Sequence, residues 1–200
     1  MCHVLTMPTD TKDKPRGPKP VTRSRLHNIA LHYLERFASS SENVRRVLMR
    51  RVERAALVHD TDRDEARDWI NDIVKRFEET GLLDDRRYAE NRTASLHRQG
   101  TSRRGIQMRL IQKGVDGDLV AEALEEAGDD FIAAVTYARK RRLGPYRTRE
   151  REDRRERDLA ALGRVGFSYE TAKRIVDAET IDDLEFEVRD ADIGDTIFNA

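Results

Sequence analysis

The sequence predicts an all-α protein in which one three-helix unit occurs three times in a row. Apolar residues recur at helical spacing along most of the 200-residue chain, which favours amphipathic helices. Serine, aspartate and glycine residues stand where such helices would begin and end. Residues at fixed offsets also match in type, and a repeat of this period indicates a row of stacked units, each contacting mainly its neighbours.

Two offsets define the repeat. A shift of 62 residues places the first unit on the second, and a shift of 52 places the second on the third. The matched pairs are Ser40 and Ser102, Val44 and Ile106, Leu48 and Leu110 for the first shift, and Leu110 and Leu162, Gly114 and Gly166, Val115 and Phe167, Leu124 and Val176 for the second.

Five segments follow from these patterns. They are a basic arm over 1–24, helical repeat 1 over 25–80, helical repeat 2 over 81–128, helical repeat 3 over 129–178 and an acidic tail over 179–200. The arm holds all but one of the prolines and little that could form a core, so we expect it to be disordered.

In repeat 1, a helix is expected to start near Arg25 and two more to follow, the last of them ending at Gly81. Their inward residues are predicted to be Ile29, Tyr33, Leu34, Phe37, Val44, Val47, Leu48, Val52, Trp69, Ile70, Ile73, Val74 and Phe77.

Repeat 2 has the clearest helix boundaries. Asp84 or Asp85, Ser102 and Asp116 can each cap the first turn of a helix with a side-chain oxygen. The residues expected to end these helices are Gly100, Gly114 and Gly128. The predicted buried residues are Tyr88, Ala89, Leu96, Ile106, Leu110, Ile111, Leu119, Val120, Ala123, Leu124 and Ala127.

Repeat 3 is predicted from weaker but similar periodicity. Its apolar positions are Phe131, Val135, Ala138, Leu159, Leu162, Val165, Ala172, Ile175 and Val176. The acidic tail carries scattered apolar residues, which leaves both a disordered tail and an interaction segment open. We also consider that this tail could fold back onto basic residues elsewhere in the chain.

The charges alternate along the chain although they cancel overall at 38 bases and 38 acids. Residues 86–114 hold eight Lys or Arg against one acid, a net charge of +7, and 115–130 hold seven acids and no base, a net charge of −7. Screening acts over about 8 Å in physiological salt, so a partner would meet separate positive and negative patches.

The most positive segments, 25–58, 86–114 and 131–157, share the repeat period, so stacking of the repeats is predicted to align them into a basic strip. The strip residues, predicted to contact phosphates or acidic protein surface, are Arg45, Arg46, Arg50, Arg51, Arg103, Arg104, Arg109, Lys113, Arg139, Lys140, Arg141 and Arg142.

Catalytic motifs are absent from the sequence, and we expect neither a cofactor nor a metal site. The acids Asp60, Asp62 and Asp64 resemble the start of a calcium loop, but Glu65 stands where that loop needs glycine, so we predict only an acidic loop. His97 is expected to be an ordinary surface histidine. With one cysteine and no apolar run near 18 residues, the chain is predicted to be soluble and cytoplasmic.

One further pattern spans three stretches, namely GLLDDRRYA over 81–89, GTSRRGIQMRLIQKG over 100–114 and GFSYET over 166–171. Together they resemble the RecX family, whose members regulate the RecA recombinase. The likeness covers roughly 25–178 and is strongest over 80–128.

The resemblance implies an elongated, curved array that binds along the groove of the RecA filament on single-stranded DNA. Such binding would limit filament extension, strand exchange, and the ATPase and coprotease activities of the filament. The resemblance implies no enzymatic activity of the protein's own. We expect a monomer with no membrane contact and with at most weak affinity for duplex DNA.

Two alternatives remain open from the residues alone. Residues 102–128 could form a helix-turn-helix that reads a specific DNA sequence, although the presumed recognition helix from Asp116 is acidic. A protein adaptor whose basic strip meets an acidic partner, without DNA, would show the same charge pattern.

Overall fold

The computed structural model describes residues 17–148 and 154–198, with side chains described as far as Arg189. These ranges contain ten α-helices and one 3-10 turn and no strand. The helices are α1 (Arg23–Leu34), α2 (Ser41–Ala56), α3 (Arg63–Glu79), α4 (Asp85–Arg98), α5 (Arg103–Gln112), α6 (Gly117–Glu125), α7 (Asp130–Arg141), α8 (Arg154–Arg164), α9 (Tyr169–Val176) and α10 (Ile181–Phe198). None of these ten helices has the length and hydropathy that a membrane span requires.

The helices form three tandem three-helix repeats, as predicted. Helices α1–α3, α4–α6 and α7–α9 each enclose a separate apolar cluster, centred on Leu48, Leu110 and Leu162 respectively, and all three leucines are fully buried. Because each unit has its own small core, the chain is an elongated array and not one rounded domain. The structure therefore confirms these three leucines, which the repeat offsets predicted as equivalent, as corresponding core positions.

The predicted helix boundaries of repeat 2 are confirmed. The side chains of Asp84, Ser102 and Asp116 accept hydrogen bonds from first-turn N–H groups of α4, α5 and α6. The glycines after these helices have positive φ angles, which residues with a Cβ rarely adopt. Their values are +85° at Gly100, +77° at Gly114 and +73° at Gly128.

Three predictions of buried or boundary residues in repeats 1 and 2 differ from the structure. Helix α1 begins at Arg23, inside the segment predicted as the arm, and buries Leu26 and Ala30. Phe37 lies beyond the end of α1 and is 52% exposed. Ile111, predicted to be inward, is also 52% exposed, because α5 turns about 100° per residue and Leu110 occupies the inward position. Residues 1–16 of the predicted arm lie outside the described residues.

The segment predicted as an acidic tail includes α10, which packs on repeat 3. Leu184 is buried against the repeat 3 cluster and Val188 packs beside it. The Glu187 carboxylate accepts a 2.8 Å hydrogen bond from Arg174 on α9. Of the described acids of α10, Glu187 therefore pairs with repeat 3 itself, in contrast to the hypothesis that this segment covers the predicted basic strip.

The same serine contact joins each repeat to the next. Ser40, the N-cap of α2, donates a 2.5 Å hydrogen bond to the carbonyl of Lys113 at the end of α5. Ser102, the N-cap of α5, donates a 2.6 Å hydrogen bond to the carbonyl of Val165 just after α8. Each serine also accepts a bond from its own first turn, so one hydroxyl satisfies a helix N-terminus and a carbonyl of the following repeat.

A second repeated contact places an aspartate against the same helix starts. Asp85 of α4 accepts a 2.7 Å hydrogen bond from the N–H of Ser41, and Asp130 of α7 accepts one of the same length from the N–H of Arg103. Since a carboxylate is favoured at a helix N-terminus, these contacts stabilise the start of α2 and α5. The second helices of the three repeats consequently follow one another head to tail, α8 to α5 to α2.

The double role of Ser102 gives a measurable prediction. We expect Ser102→Ala to lower the free energy of unfolding by about 2 kcal/mol, since it removes a cap worth about 1 kcal/mol and leaves the Val165 carbonyl without its partner at about 1 kcal/mol. Ser168→Ala is the matched control, because Ser168 caps α9 at an exposed position and is not part of a joint between repeats. Urea denaturation followed by circular dichroism measures both; equal losses would contradict the role of Ser102 between repeats.

Candidate nucleic-acid interface

Two clefts lie at the two joints between repeats. The first cleft, of about 700 Å³, lies between repeats 1 and 2, and the second, of about 850 Å³, lies between repeats 2 and 3. The first is lined by residues that include Tyr33, Arg36, Phe37, Ser39, Asn43, Leu82, Asp84, Arg87, Tyr88, Asn91, Arg92 and Lys113. The second is lined by Gln99, Gly100, Thr101, Gly105, Met108, Arg109, Gln112, Tyr137, Lys140, Arg141, Arg164 and Val165.

The two clefts are equivalent under the repeat offset. Ser39 and Asn43 of the first cleft correspond, 62 residues later, to Thr101 and Gly105 of the second. Because both clefts are formed by equivalent helices at equivalent joints, the repeat produces two related surfaces in succession.

The second cleft is strongly basic. Its described lining includes four cations, Arg109, Lys140, Arg141 and Arg164, and no acid. The Arg141 guanidinium carbon lies 5.8 Å from the centroid of the Tyr137 ring, within the range of a cation–π contact. Lys140 donates a 2.9 Å hydrogen bond to the Gln99 carbonyl. These cations come from three helices, so the joint between repeats concentrates the charge.

The structure brings together part of the predicted basic strip. Arg109, Lys140 and Arg141 line the second cleft, and Lys113 lines the first. Arg104 lies at the same joint as the second cleft and close to Gly166. A Cβ atom added to Gly166 would lie 3.2 Å from the Cβ of Arg104.

Other predicted strip residues make contacts within the protein. Arg45 forms an ion pair with Glu78 at 3.3 Å, and Arg46 binds Glu42 at 2.9 Å. Arg46 also donates to the carbonyl of Gln112 at 2.8 Å, across the first joint.

The guanidinium of Arg103 donates to the carbonyl of Gly128 at 3.1 Å. This bond holds α5 against the end of repeat 2, next to the start of α7. Arg50 and Arg51 lie exposed on the outer turns of α2, while Arg139 and Arg142 are exposed at the end of α7.

Sequence reasoning missed several cations of the clefts. Arg36, Arg87, Arg92 and Arg164 line them, but their positions depend on how the repeats pack together. The repeat gave no signal for Arg164, because its equivalent at the 52-residue offset is Gln112, an uncharged residue outside the predicted strip.

The prediction for His97 is wrong. His97 is buried at the joint between α4 and α7, where its Nε2 lies 3.1 Å from the carbonyl oxygen of Asp129. Since a carbonyl only accepts, Nε2 carries the proton. Burial raises the pKa of the adjacent Asp130 carboxyl, while its hydrogen bond from the Arg103 N–H acts in the opposite direction.

The acidic elements have structural partners. Asp62 is the N-cap of α3, accepting from two N–H groups of its first turn, and Asp64 pairs with Arg67 at 2.5 Å. On α6, Glu122 pairs with Arg86 of α4. Helix α6 therefore presents acids where a recognition helix of a helix-turn-helix would approach phosphates.

Across residues 17–148 and 154–189, no cluster of three acids or histidines could hold a metal ion.

These features define a class of protein, namely an all-α tandem-repeat protein with basic clefts at the joints between its repeats. Comparison with known proteins is consistent with that class. The sequence model of the second three-helix domain of RecX matches residues 84–124. The Regulatory protein RecX of Myxococcus xanthus is 43% identical over 175 residues, which cover 84% of this chain and 94% of that protein. The Regulatory protein RecX of Halorhodospira halophila is 30% identical over 150 residues, covering 74% and 86%.

The chain belongs to the RecX family of regulatory proteins. A crystal structure of RecX from Lactobacillus salivarius aligns with a TM-score of 0.57 at 24% identity, covering 82% of this chain and 97% of that one. A second RecX crystal structure aligns with a TM-score of 0.58 at 20% identity, covering 78% and 72%. At these identities the structures support the fold alone.

Proposed function

We propose that the protein regulates the RecA recombinase by lying along the groove of the RecA filament on single-stranded DNA. Its action is mainly inhibitory and limits filament extension, strand exchange and the ATPase and coprotease activities of the filament. It acts as a monomer by occupying the groove and carries out no reaction of its own. Family membership supports the partner, and the two successive basic clefts support the mode of contact.

The observation that carries this proposal is the position of the second cleft. Its four cations are contributed by helices of two repeats, so they form one binding surface only when the repeats keep their relative positions. A filament of RecA on DNA offers phosphates and acidic protein surface along its length, and a row of basic clefts with acidic helices beside them can contact both. Strip residues Arg104, Arg109, Lys113, Lys140 and Arg141 are the proposed contacts at the joints, with Arg50, Arg51, Arg139 and Arg142 as exposed contributors.

The direct test is the ATPase rate of RecA on single-stranded DNA as this protein is added. We expect the rate to fall in proportion to the filament sites occupied, and we expect preformed filaments to shorten when free RecA is limiting. The adaptor alternative, in which DNA is irrelevant, requires that the protein alone shows no salt-dependent retention on single-stranded DNA. An unchanged ATPase rate at saturating protein would contradict the proposal.

A further inference from the structure

The first cleft contains one exposed aromatic ring, that of Phe37, which belongs to none of the three apolar clusters of the described residues. Phe37 is 52% exposed just beyond the end of α1, and its ring centroid lies 5.3 Å from that of Tyr33. Tyr88 of α4 lines the opposite side of the same cleft. The Tyr88 phenol is protonated at neutral pH and can donate a hydrogen bond, and burial raises its pKa further above the ordinary value.

A polar network holds this aromatic surface in place. The Asn43 side-chain nitrogen donates to the Tyr33 hydroxyl at 3.0 Å and to the Ser39 hydroxyl at 2.7 Å. Lys113, from the neighbouring repeat, donates to the Asn43 side-chain oxygen at 3.3 Å. The bottom of the first cleft is therefore ordered by contacts from both repeats before any ligand binds.

Cations surround the aromatic surface. The Arg36 guanidinium carbon lies 5.8 Å from the centroid of the Phe37 ring, and Arg87 and Arg92 of α4 line the cleft with Lys113. One acid is among the described lining residues, Asp84, and its carboxylate accepts a 2.9 Å hydrogen bond from the N–H of Arg87 as the N-cap of α4. The cleft consequently combines an exposed ring with a net positive charge.

This combination is the chemistry that binds single-stranded nucleic acid without sequence preference, since bases stack on aromatic rings while cations contact the backbone. The second cleft provides a comparison inside the same molecule. Gln99 occupies there the position equivalent to Phe37, so the second cleft keeps the cations without an aromatic residue at this position.

We propose that the first cleft binds an unstacked nucleobase of single-stranded DNA on the ring of Phe37, with the flanking phosphates at Arg87, Arg92 and Lys113. The second cleft, where Gln99 replaces Phe37 and Arg141 lies over the Tyr137 ring, contacts phosphates. This inference rests on the DNA contact in the proposed function and adds a base-binding site to it.

The test compares two oligonucleotides of equal length, one of thymidine nucleotides and one abasic, by fluorescence anisotropy with the full chain. Because stacking contributes about tenfold in affinity per base, we expect the wild-type protein to prefer the thymidine oligonucleotide by about that factor. Phe37→Ala should abolish the preference while leaving the affinity for the abasic oligonucleotide unchanged. The salt dependence should also stay unchanged, since no charge is removed.

Ile111→Ala is the matched control, because Ile111 is an apolar residue with the same 52% exposure and is not among the described residues of either cleft. Phe37→Trp should restore the preference for bases. An equal loss on both oligonucleotides in Phe37→Ala, or no loss on either, would overturn the inference. Binding of polyglutamate that falls as strongly as thymidine binding in Phe37→Ala would instead identify an acidic polypeptide as the occupant.

The oligonucleotide and ATPase measurements on the wild-type protein together separate this inference from the proposed function. If the wild-type protein prefers bases but fails to lower the RecA ATPase rate, the base-binding site stands and the proposed function fails. If the protein lowers the ATPase rate without any preference for bases, the proposed function stands and the base-binding site fails.

Discussion

Replacing Arg109, Lys140 and Arg141 together with glutamine is expected to weaken binding to single-stranded DNA by about 100-fold in roughly 0.1 M salt. All three side chains line the second cleft, where the described residues include no acid to offset them. Each phosphate contact on a single strand contributes about 0.7 to the slope of log affinity against log salt, so the slope should become shallower by about 2. Inhibition of the RecA ATPase should weaken in parallel. Affinity measured by anisotropy across a salt series gives both quantities.

The control removes the same amount of charge from repeat 1. Arg23, Arg63 and Arg67 are exposed and paired with Asp72, Glu53 and Asp64 respectively. Their replacement with glutamine should change affinity and slope far less, because these cations are already neutralised by acids. Equal effects of the two triple replacements would mean that net charge alone attracts DNA and that the second cleft is not the site.

Gly100→Ala is expected to lower the free energy of unfolding by about 2–5 kcal/mol. Gly100 has a φ of +85°, and a Cβ at this position would lie 2.9 Å from the backbone nitrogen of Tyr137 and 3.1 Å from the carbonyl oxygen of Ala133. Both neighbours are backbone atoms of α7, so α4 and α7 would have to move apart. Because Gly100 also lines the second cleft, the variant should lose affinity for DNA even where it remains folded. Urea denaturation and anisotropy measure the two effects.

Gly81→Ala is the corresponding control. Gly81 also has a positive φ, +70°, but no heavy atom lies within 4 Å of the Cβ position. This variant should therefore show only the conformational cost of about 1–2 kcal/mol. Similar losses of unfolding free energy in the two variants would mean that the close approach of the α7 backbone is not the reason why position 100 requires glycine.

Local chemistry explains why the helices and repeats could be predicted from the sequence. Ser102 and Gly114 mark the ends of α5 through bonds to residues three to five positions away, and such short-range signals are visible in a sequence. Leu48, Leu110 and Leu162 could be recognised as equivalent because each repeat needs the same buried side chain.

The joints between repeats were not predictable in the same way. The bond from Ser40 to Lys113 connects residues 73 positions apart, and no local pattern encodes it. The prediction of one basic strip assumed that the cations of each helix lie on one common surface. In the structure Arg109 lines the second cleft, whereas Arg103 binds Asp130 and the Gly128 carbonyl and so holds repeats 2 and 3 together. Ile111 was assigned to the core because it follows Leu110, although only one of two adjacent helical positions can point inward here.

The repeated serine contact is also directional, because the serine always belongs to the earlier repeat and the carbonyl to the later one. Position 154, which corresponds to Ser102 at the 52-residue offset, is an arginine. At the other end of the row, α2 continues to Ala56 and its C-cap Leu57 is 82% exposed, so it lacks the glycine-terminated end that receives a serine elsewhere. Among the described residues, neither end of the row therefore repeats the serine-to-carbonyl pair of the two joints. Head-to-tail contacts of this kind produce open polymers when they continue indefinitely, and in the described residues the serine series joins three units.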